Sequence, residues 1–444
     1  MTELNMSNFI NLEAEQAVLG AILLSPEALD VALEWVKVED FYKEGHQSIL
    51  QGMIELSDSN KPIDLITLTE QLMSDGKLAG IGGVKYLTEL AGSVPTAANI
   101  RHYLSIVKNK SLSRKAFRAA KAMMDNGKEM DDPKAFIASM QEVADSLGDE
   151  LRPEREFVAT GQILREHSDL LDVRYNSNGE VVGVKTASRD LDRLTSGRQK
   201  QDFIIIAARP SVGKTAFMLN DALAAAKGGT TVGIFSLEMP RTSLAERMIA
   251  ALGDIDGMKL RTGRLDANDW ERYTGAAAKL SNLPIYIDDT PGLSVQQIRS
   301  KMRAFRKKHG DNIIFYIDYL QLINGGRVFQ NRNLEIGHIS RTLKQCARDN
   351  NCPVVALSQL SRAVEQRQDK RPMMSDLRES GDIEQDADEI EFLYRDDYYN
   401  AESEKKNIVE VIVAKGRNTG TGVVEVVYLK NYSKFVDLDR GHSA

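Results

Sequence analysis

The chain changes its hydrophobic rhythm once, near residue 200. Through residues 11–150 apolar positions recur at three- and four-residue spacing, the period of helices with one buried face. Asn11 heads the first such run as an N-cap, and Ala14, Val18 and Ile22 mark the apolar stripe behind it. Ser25-Pro26 predicts a restart with proline at the first helical position, where the missing N–H costs nothing. Further helical patterns cover 65–73, 100–125 and 132–147, and no catalytic cluster interrupts them. This segment reads as a scaffolding or interaction domain held by packing between helices. The charged, proline-containing stretch 149–156 (DELRPERE) predicts a boundary. Beyond it Ile163, Leu164, His167, Leu170, Leu171 and Arg174 trace one helical face, which Asn176-Ser177-Asn178-Gly179 ends. A lone stripe of this kind must be buried on its own chain or on a neighbour, and the pattern allows either.

From Phe203 the texture is short apolar runs alternating with helices: 203–207 (FIIIA), 231–237 (TVGIFSL), 284–287 (PIYI), 312–320 (NIIFYIDYL) and 353–358 (PVVALS). Most are continuous rather than alternating, as in strands buried on both faces of a parallel sheet. Residues 408–414 and 423–429 are β-branched with glutamates between, and flank 415–422 (KGRNTGTG), so they predict a hairpin with a polar tip. The expected fold is therefore an α/β domain, mostly parallel with a C-terminal β-hairpin, behind an all-α N-terminal domain. The expected divisions are 1–150, a linker at 151–180 and an α/β domain at 181–444.

Composition changes this picture little. A chain of 444 residues with 42% hydrophobic and 27% charged residues is ordinary for a globular protein. No apolar run approaches the length of a membrane span, and no secretory leader precedes the helices. Two cysteines, Cys346 and Cys352, with no companion ligands, point away from a disulfide framework or zinc site and towards a reducing cytoplasm. The net charge of −7 excludes a generally basic nucleic-acid coat but not a local basic channel.

The chemistry gathers at strand ends. Residues 207–215, AARPSVGKT, follow one predicted strand and open a helix, the setting of a phosphate-binding loop. Ala208 stands where the usual pattern has its first glycine. Backbone N–H groups across Ala208, Arg209, Pro210, Ser211, Val212, Gly213, Lys214, Thr215 and Ala216 would wrap phosphates, proline excepted. Lys214 would reach the β- and γ-phosphates of a nucleoside triphosphate, and the Thr215 hydroxyl would ligate Mg²⁺. Asp318 closes an apolar strand and is placed to complete the metal site. Glu238, just past the strand 231–237, is placed to polarise the attacking water, and Gln359 to sense the γ-phosphate. Lys415 and Arg417 at the hairpin edge read equally as a solvated tip or as an arginine finger from a neighbouring subunit. Two loops, 325–333 with Arg332 and 362–381 with Arg367, Arg378, Glu379 and Gly381, mix arginines with amides and have few aromatics. That composition suits a phosphate backbone better than base stacking, although either loop taken singly reads more often as a solvated surface.

Taken together, AARPSVGKT, SLEMP, FYIDYLQL, ALSQLSR, PMMSDLRESGDIEQDADEI and AKGRNTGTG resemble the replicative hexameric DNA helicases of the DnaB family, and NLEAEQAVLGAILL resembles that family's N-terminal domain. The likeness runs nearly the whole chain and fits a bacterial or bacteriophage member. It implies a RecA-like motor in a ring of six, with ATP and Mg²⁺ between neighbours and 5′→3′ movement on single-stranded DNA at the replication fork. It implies that Arg417 is a finger acting in trans with Lys415 beside it, that Arg378, Glu379 and Gly381 grip the strand, and that the helix at 163–174 docks on the adjacent motor. Primase, a helicase loader and polymerase clamp-loader components are the implied partners, and no membrane is. One departure is Ala187-Ser188-Arg189, where relatives usually carry a glycine-aromatic pair. Two other readings compete: a filament-forming recombinase, which the helical N-terminal domain and linker count against, and a non-motor assembly platform, which requires that ATP turnover be absent.

Overall fold

The computed structural model describes residues 6–126, 158–176, 182–377, 381–400 and 402–438, with isolated positions between 136 and 148. The helical pattern at 132–147 and residues Arg378 and Glu379 lie outside the described residues. The chain divides into two compact units, Met1–Arg155 and Glu156–Ala444.

The first unit is helical among its described residues. Asn11 accepts the Ala14 amide at 2.9 Å and caps Leu12–Leu24, as its side chain predicts. The next helix starts two residues later than the proline signal indicates. It runs Ala28–Trp35, and the Ser25 and Pro26 carbonyls instead accept the Ala28 and Leu29 amides in a preceding turn. Helices Glu44–Asp58, Leu65–Ser74, Gly83–Ala91 and Ile100–Asn126 complete a core that includes Val18, Leu19, Ile22, Ile49, Leu50, Leu68 and Leu104. Inside it, buried His46 joins Glu15 (Nδ1, 2.7 Å) to the Tyr86 hydroxyl (Nε2, 2.6 Å), so the core's polar groups are paired rather than left bare.

The second unit is built on nine strands: β1 (Phe203–Ala208), β2 (Thr231–Ser236), β3 (Ile285–Asp288), β4 (Ile313–Asp318), β5 (Val354–Gln359), β6 (Glu389–Tyr394), β7 (Ile408–Gly416), β8 (Gly422–Leu429) and β9 (Lys434–Asp437). They stand in the order β3-β2-β4-β5-β1-β6-β7-β8-β9, with β1 to β6 parallel and the rest antiparallel. Both faces are covered. Ile204 and Ile206 pack with Phe217, Met218, Leu223 and Leu244, while Phe203, Ile205 and Ala207 pack with Ile298, Met302, Ile339 and Leu343. Continuous apolar strands follow from that two-sided burial.

Strand β6 is not among the runs that the sequence pattern predicts. It reads EIEFLY and is buried throughout, including Glu389 and Glu391. Both acids meet a fully buried Arg198, which also pairs with Asp221 at 3.1 Å. Burial and the nearby Glu391 push the Asp221 carboxyl up to about 6, against the pull of Arg198. One cation among three acids leaves Glu389 also well above the ordinary carboxylate range, driven first by burial and then by Glu391.

Candidate active site

Register places the chemistry on one edge. Ala208 pairs with Gln359 across β1 and β5, and Ser236 with Asp318 across β2 and β4. β1 ends level with β5 and β2 with β4, while β5 runs two residues past β4 because Ile317 stands opposite Ala356; the successors of all four face one crevice. Ala208 is itself a strand residue, extended and buried, so a glycine's conformational freedom is not needed there. Gly213 is different. Its φ of +117° is closed to other residues without strain, and a Cβ there would lie 3.2 Å from Tyr428 and 3.4 Å from Phe435. Those two rings, stacked at 4.4 Å, back the loop from β8 and β9.

Lys214 begins the helix Lys214–Lys227, its ammonium 4.7 Å from the Tyr319 ring centre. Burial lowers its pKa, and the charges of Asp318 and Glu238 oppose that shift. The Thr215 hydroxyl donates to Asp318 Oδ2 at 2.8 Å. Burial raises the Asp318 pKa, with Lys214 and the Thr215 hydrogen bond opposing. Its second oxygen, Oδ1, is buried without a hydrogen-bond partner among the described residues. A buried acceptor left bare beside a hydroxyl and an ammonium is a costly arrangement for an empty protein. It fits a divalent cation coordinated with a nucleotide's phosphates. Glu238 is exposed past β2, and its charge reaches both Lys214 and Asp318.

The other predicted residues fall in three places. Arg209 donates to Glu365 (2.8 Å) and to the Leu360 carbonyl (2.8 Å), tying the phosphate loop to the segment after β5. Arg332 and Arg367, expected as DNA contacts, both spend their guanidinium on their own loops. Arg332 pairs with Glu335 and donates to the Gln321 carbonyl, while Arg367 holds Asp376 at 2.6 Å. Gly381 opens the short helix Gly381–Asp386. Lys415 and Arg417 donate to the last carbonyls of that helix, those of Glu384 and Gln385, and Arg417 also lies 3.6 Å from Asp388. The Arg417 amide bonds the Asp388 carbonyl, and the Asp388 amide bonds that of Phe203. Arg417 therefore sits at the start of β1, the phosphate loop at its end.

Gln321 is a residue that the sequence pattern does not single out. It lies in the 3₁₀ turn Leu320–Leu322 after β4, and its side-chain amide meets both the N–H (3.3 Å) and the C=O (3.4 Å) of Gln359. Only its position within FYIDYLQL could have drawn attention to it.

Two family models match: the DnaB-like helicase N terminal domain over residues 7–109 and the DnaB-like helicase C terminal domain over 183–437. The chain is 49% identical over 435 residues to the replicative DNA helicase DnaB of Geobacillus stearothermophilus, covering 97% of this chain and 95% of that one. The chain belongs to the DnaB-like replicative DNA helicases. This helicase is also 49% identical to the replicative DNA helicase DnaC of Bacillus subtilis over 97% of its length and 95% of the relative's. Its fold matches a DnaB-like replicative helicase, solved in a study of its interactions with primase, at TM-score 0.75 and 39% identity, covering 97% of this chain and all of the other. A second solved structure, an isolated ATPase domain, matches at TM-score 0.62 and 44% identity over 64% of this chain and all of that domain. The RecA-like reading of the parallel sheet and its antiparallel C-terminal strands agrees with these neighbours. Among the described residues no helix is long and apolar enough to cross a membrane.

Proposed function

We propose that this helicase works as a ring of six copies, each hydrolysing ATP against its neighbour to move 5′→3′ along single-stranded DNA at a fork. The observation that carries the shared site is the distance along β1. Arg417 is tied through Asp388 to Phe203, and the phosphate loop follows Ala208, five residues on, which is about 16 Å of strand. One subunit's Arg417 is thus remote from its own phosphate loop, and a neighbour's is the one that completes the site.

Lys214 and the loop amides hold the triphosphate, and Thr215 with Asp318 would hold Mg²⁺. When bound, the cation would supply neutralising charge to the triphosphate. Glu238 takes a proton from water as its oxygen bonds to the γ-phosphorus. The bond from that phosphorus to the bridging β-oxygen breaks, leaving ADP and phosphate. Gln359, part-buried at the end of β5, senses the γ-phosphate through its side-chain amide. Arg417 and Lys415 of the next subunit stabilise charge on the transferring group.

Loops 325–333 and 362–381 line the pore and follow the strand's phosphates, with Arg378, Glu379 and Gly381 in the gripping segment. Arg332 and Arg367 shape those loops. The linker helix Thr160–Asn176 exposes Ile163, Leu164 and Leu171 and docks on the neighbouring motor. The N-terminal unit is the recruiting surface for a loader and for primase, with which the structural neighbour interacts.

Fork unwinding with ATP tests the motor. Lys214→Ala is expected to abolish unwinding, and retained unwinding would overturn the reading. In mixed rings, Arg417→Ala subunits are expected to lower hydrolysis at sites formed with wild-type Lys214. Hydrolysis in strict proportion to wild-type phosphate loops would remove the trans finger.

A further inference from the structure

The helicase reading requires that the γ-phosphate and the DNA loops sense one another, and Gln321 stands between them. Its Oε1 accepts the Gln359 amide at 3.3 Å, and its Nε2 donates to Ser358 Oγ at 3.0 Å and to the Gln359 carbonyl at 3.4 Å. One side chain therefore brackets the backbone of the residue facing the γ-phosphate. The backbone carbonyl of the same Gln321 accepts from Arg332 at 2.6 Å. Arg332 pairs in turn with Glu335, whose other oxygen accepts the Gly325 amide at 2.9 Å.

These bonds close the loop 325–331 at its base. Gly325 admits no side chain there, since a Cβ would overlap the Phe329 ring and fall 2.8 Å from Glu335. The near end of the loop is fixed to another element, with Asn324 exchanging backbone hydrogen bonds with Leu293 and Val295. The far end, at Arg332, rests on Gln321. A small shift of Gln359 is thus passed to one end of the loop while the other stays anchored, which changes the loop's shape rather than moving it bodily.

We propose that Gln321 is a positioning residue that carries the state of the γ-phosphate from Gln359 through Arg332 to the first DNA loop. It rests on the reading of loop 325–333 as a DNA contact. Gln321 touches neither the phosphates nor the strand. Its loss uncouples the two sites without removing either, and by linkage the effect appears in both directions.

The test uses full-length rings with Gln321→Leu, which keeps the volume and removes the amide. Basal ATP hydrolysis without DNA is expected within about threefold of wild type, while the stimulation by oligo-dT falls by about tenfold, within the range of site–site couplings. In parallel, the ratio of oligo-dT affinities with a non-hydrolysable ATP analogue and with ADP moves towards unity, a readout that a defect in the chemical step alone would leave in place. Full stimulation in Gln321→Leu would overturn the proposal, as would an equal fall in basal and stimulated rates. Glu335→Gln guards against a folding artefact. It weakens the same linkage from its far end, so it should lower stimulation too, and the double variant should be no worse than the weaker single. Additive losses would count against a shared path. Wild-type rings that hydrolyse ATP with no response to DNA would instead defeat the helicase reading itself.

Discussion

At the start of β1, Asp202 and Asp388 crowd one small space. Asp202 is buried, and burial followed by the Asp388 charge pushes its pKa from 3.8 up to about 6, with Lys344 and Arg417 opposing. A carboxyl raised by folding is favoured when protonated. Its stabilising contribution is complete below 3.8 and disappears as pH rises through about 6. Asp202→Asn is therefore expected to stabilise the protein at pH 7.5 by up to about 3 kcal/mol, and by little near pH 4. Thermal unfolding midpoints at the two pH values check this, and an equal gain at both would rule out titration as the cause. Asp202 looks like an ordinary turn residue in the sequence, because its neighbours come from residues 344, 388 and 417. Lys214, Thr215 and Asp318 were legible because a phosphate loop and an acid-ended strand are local patterns. Gln321 was not, since its role arises only where the turn after β4 meets the end of β5.

Among the elements, most strands that could be read are apolar runs buried on both faces, and β7 and β8 were read instead from β-branched residues flanking a polar, glycine-rich tip. Strand β6 escaped because its two glutamates interrupt the apolar run expected of a strand buried on both faces. Its acids are instead compensated by Arg198, 191 and 193 positions earlier in the chain. The arrangement predicts an asymmetric response to substitution. Arg198→Met would strand Asp221, Glu389 and Glu391 without their cation and is expected to cost about 3–5 kcal/mol. Adding Glu391→Leu should recover part of that loss by removing one of the acids packed against its neighbours. Denaturation of the single and double variants measures both effects. A double variant less stable than Arg198→Met would show that Glu391 is held by something other than Arg198.

In the molecule as a whole, two unfinished features among the described residues, Arg417 and the linker stripe, are exposed. Arg417 is about 16 Å of strand from its own phosphate loop. The linker helix leaves Ile163, Leu164 and Leu171 at 49%, 58% and 48% exposure, a stripe that its own chain does not bury. Both point to a second copy as the missing surface, and the two should fail together. Leu164→Asp with Leu171→Asp adds charge where the single chain already meets water, so the melting of the dilute subunit should hold within about 0.5 kcal/mol. Ring assembly should weaken by about tenfold or more, because two carboxylates would then be desolvated at a subunit contact. Under the proposed trans finger, hydrolysis should fall in step, since fewer phosphate loops would meet a neighbour's Arg417. Sedimentation over a concentration series, with ATPase measured on the same samples, decides it. Rings that persist at wild-type concentrations would place the stripe outside the interface, whereas intact rings with lost hydrolysis would mean that the linker aligns the finger without holding the ring together.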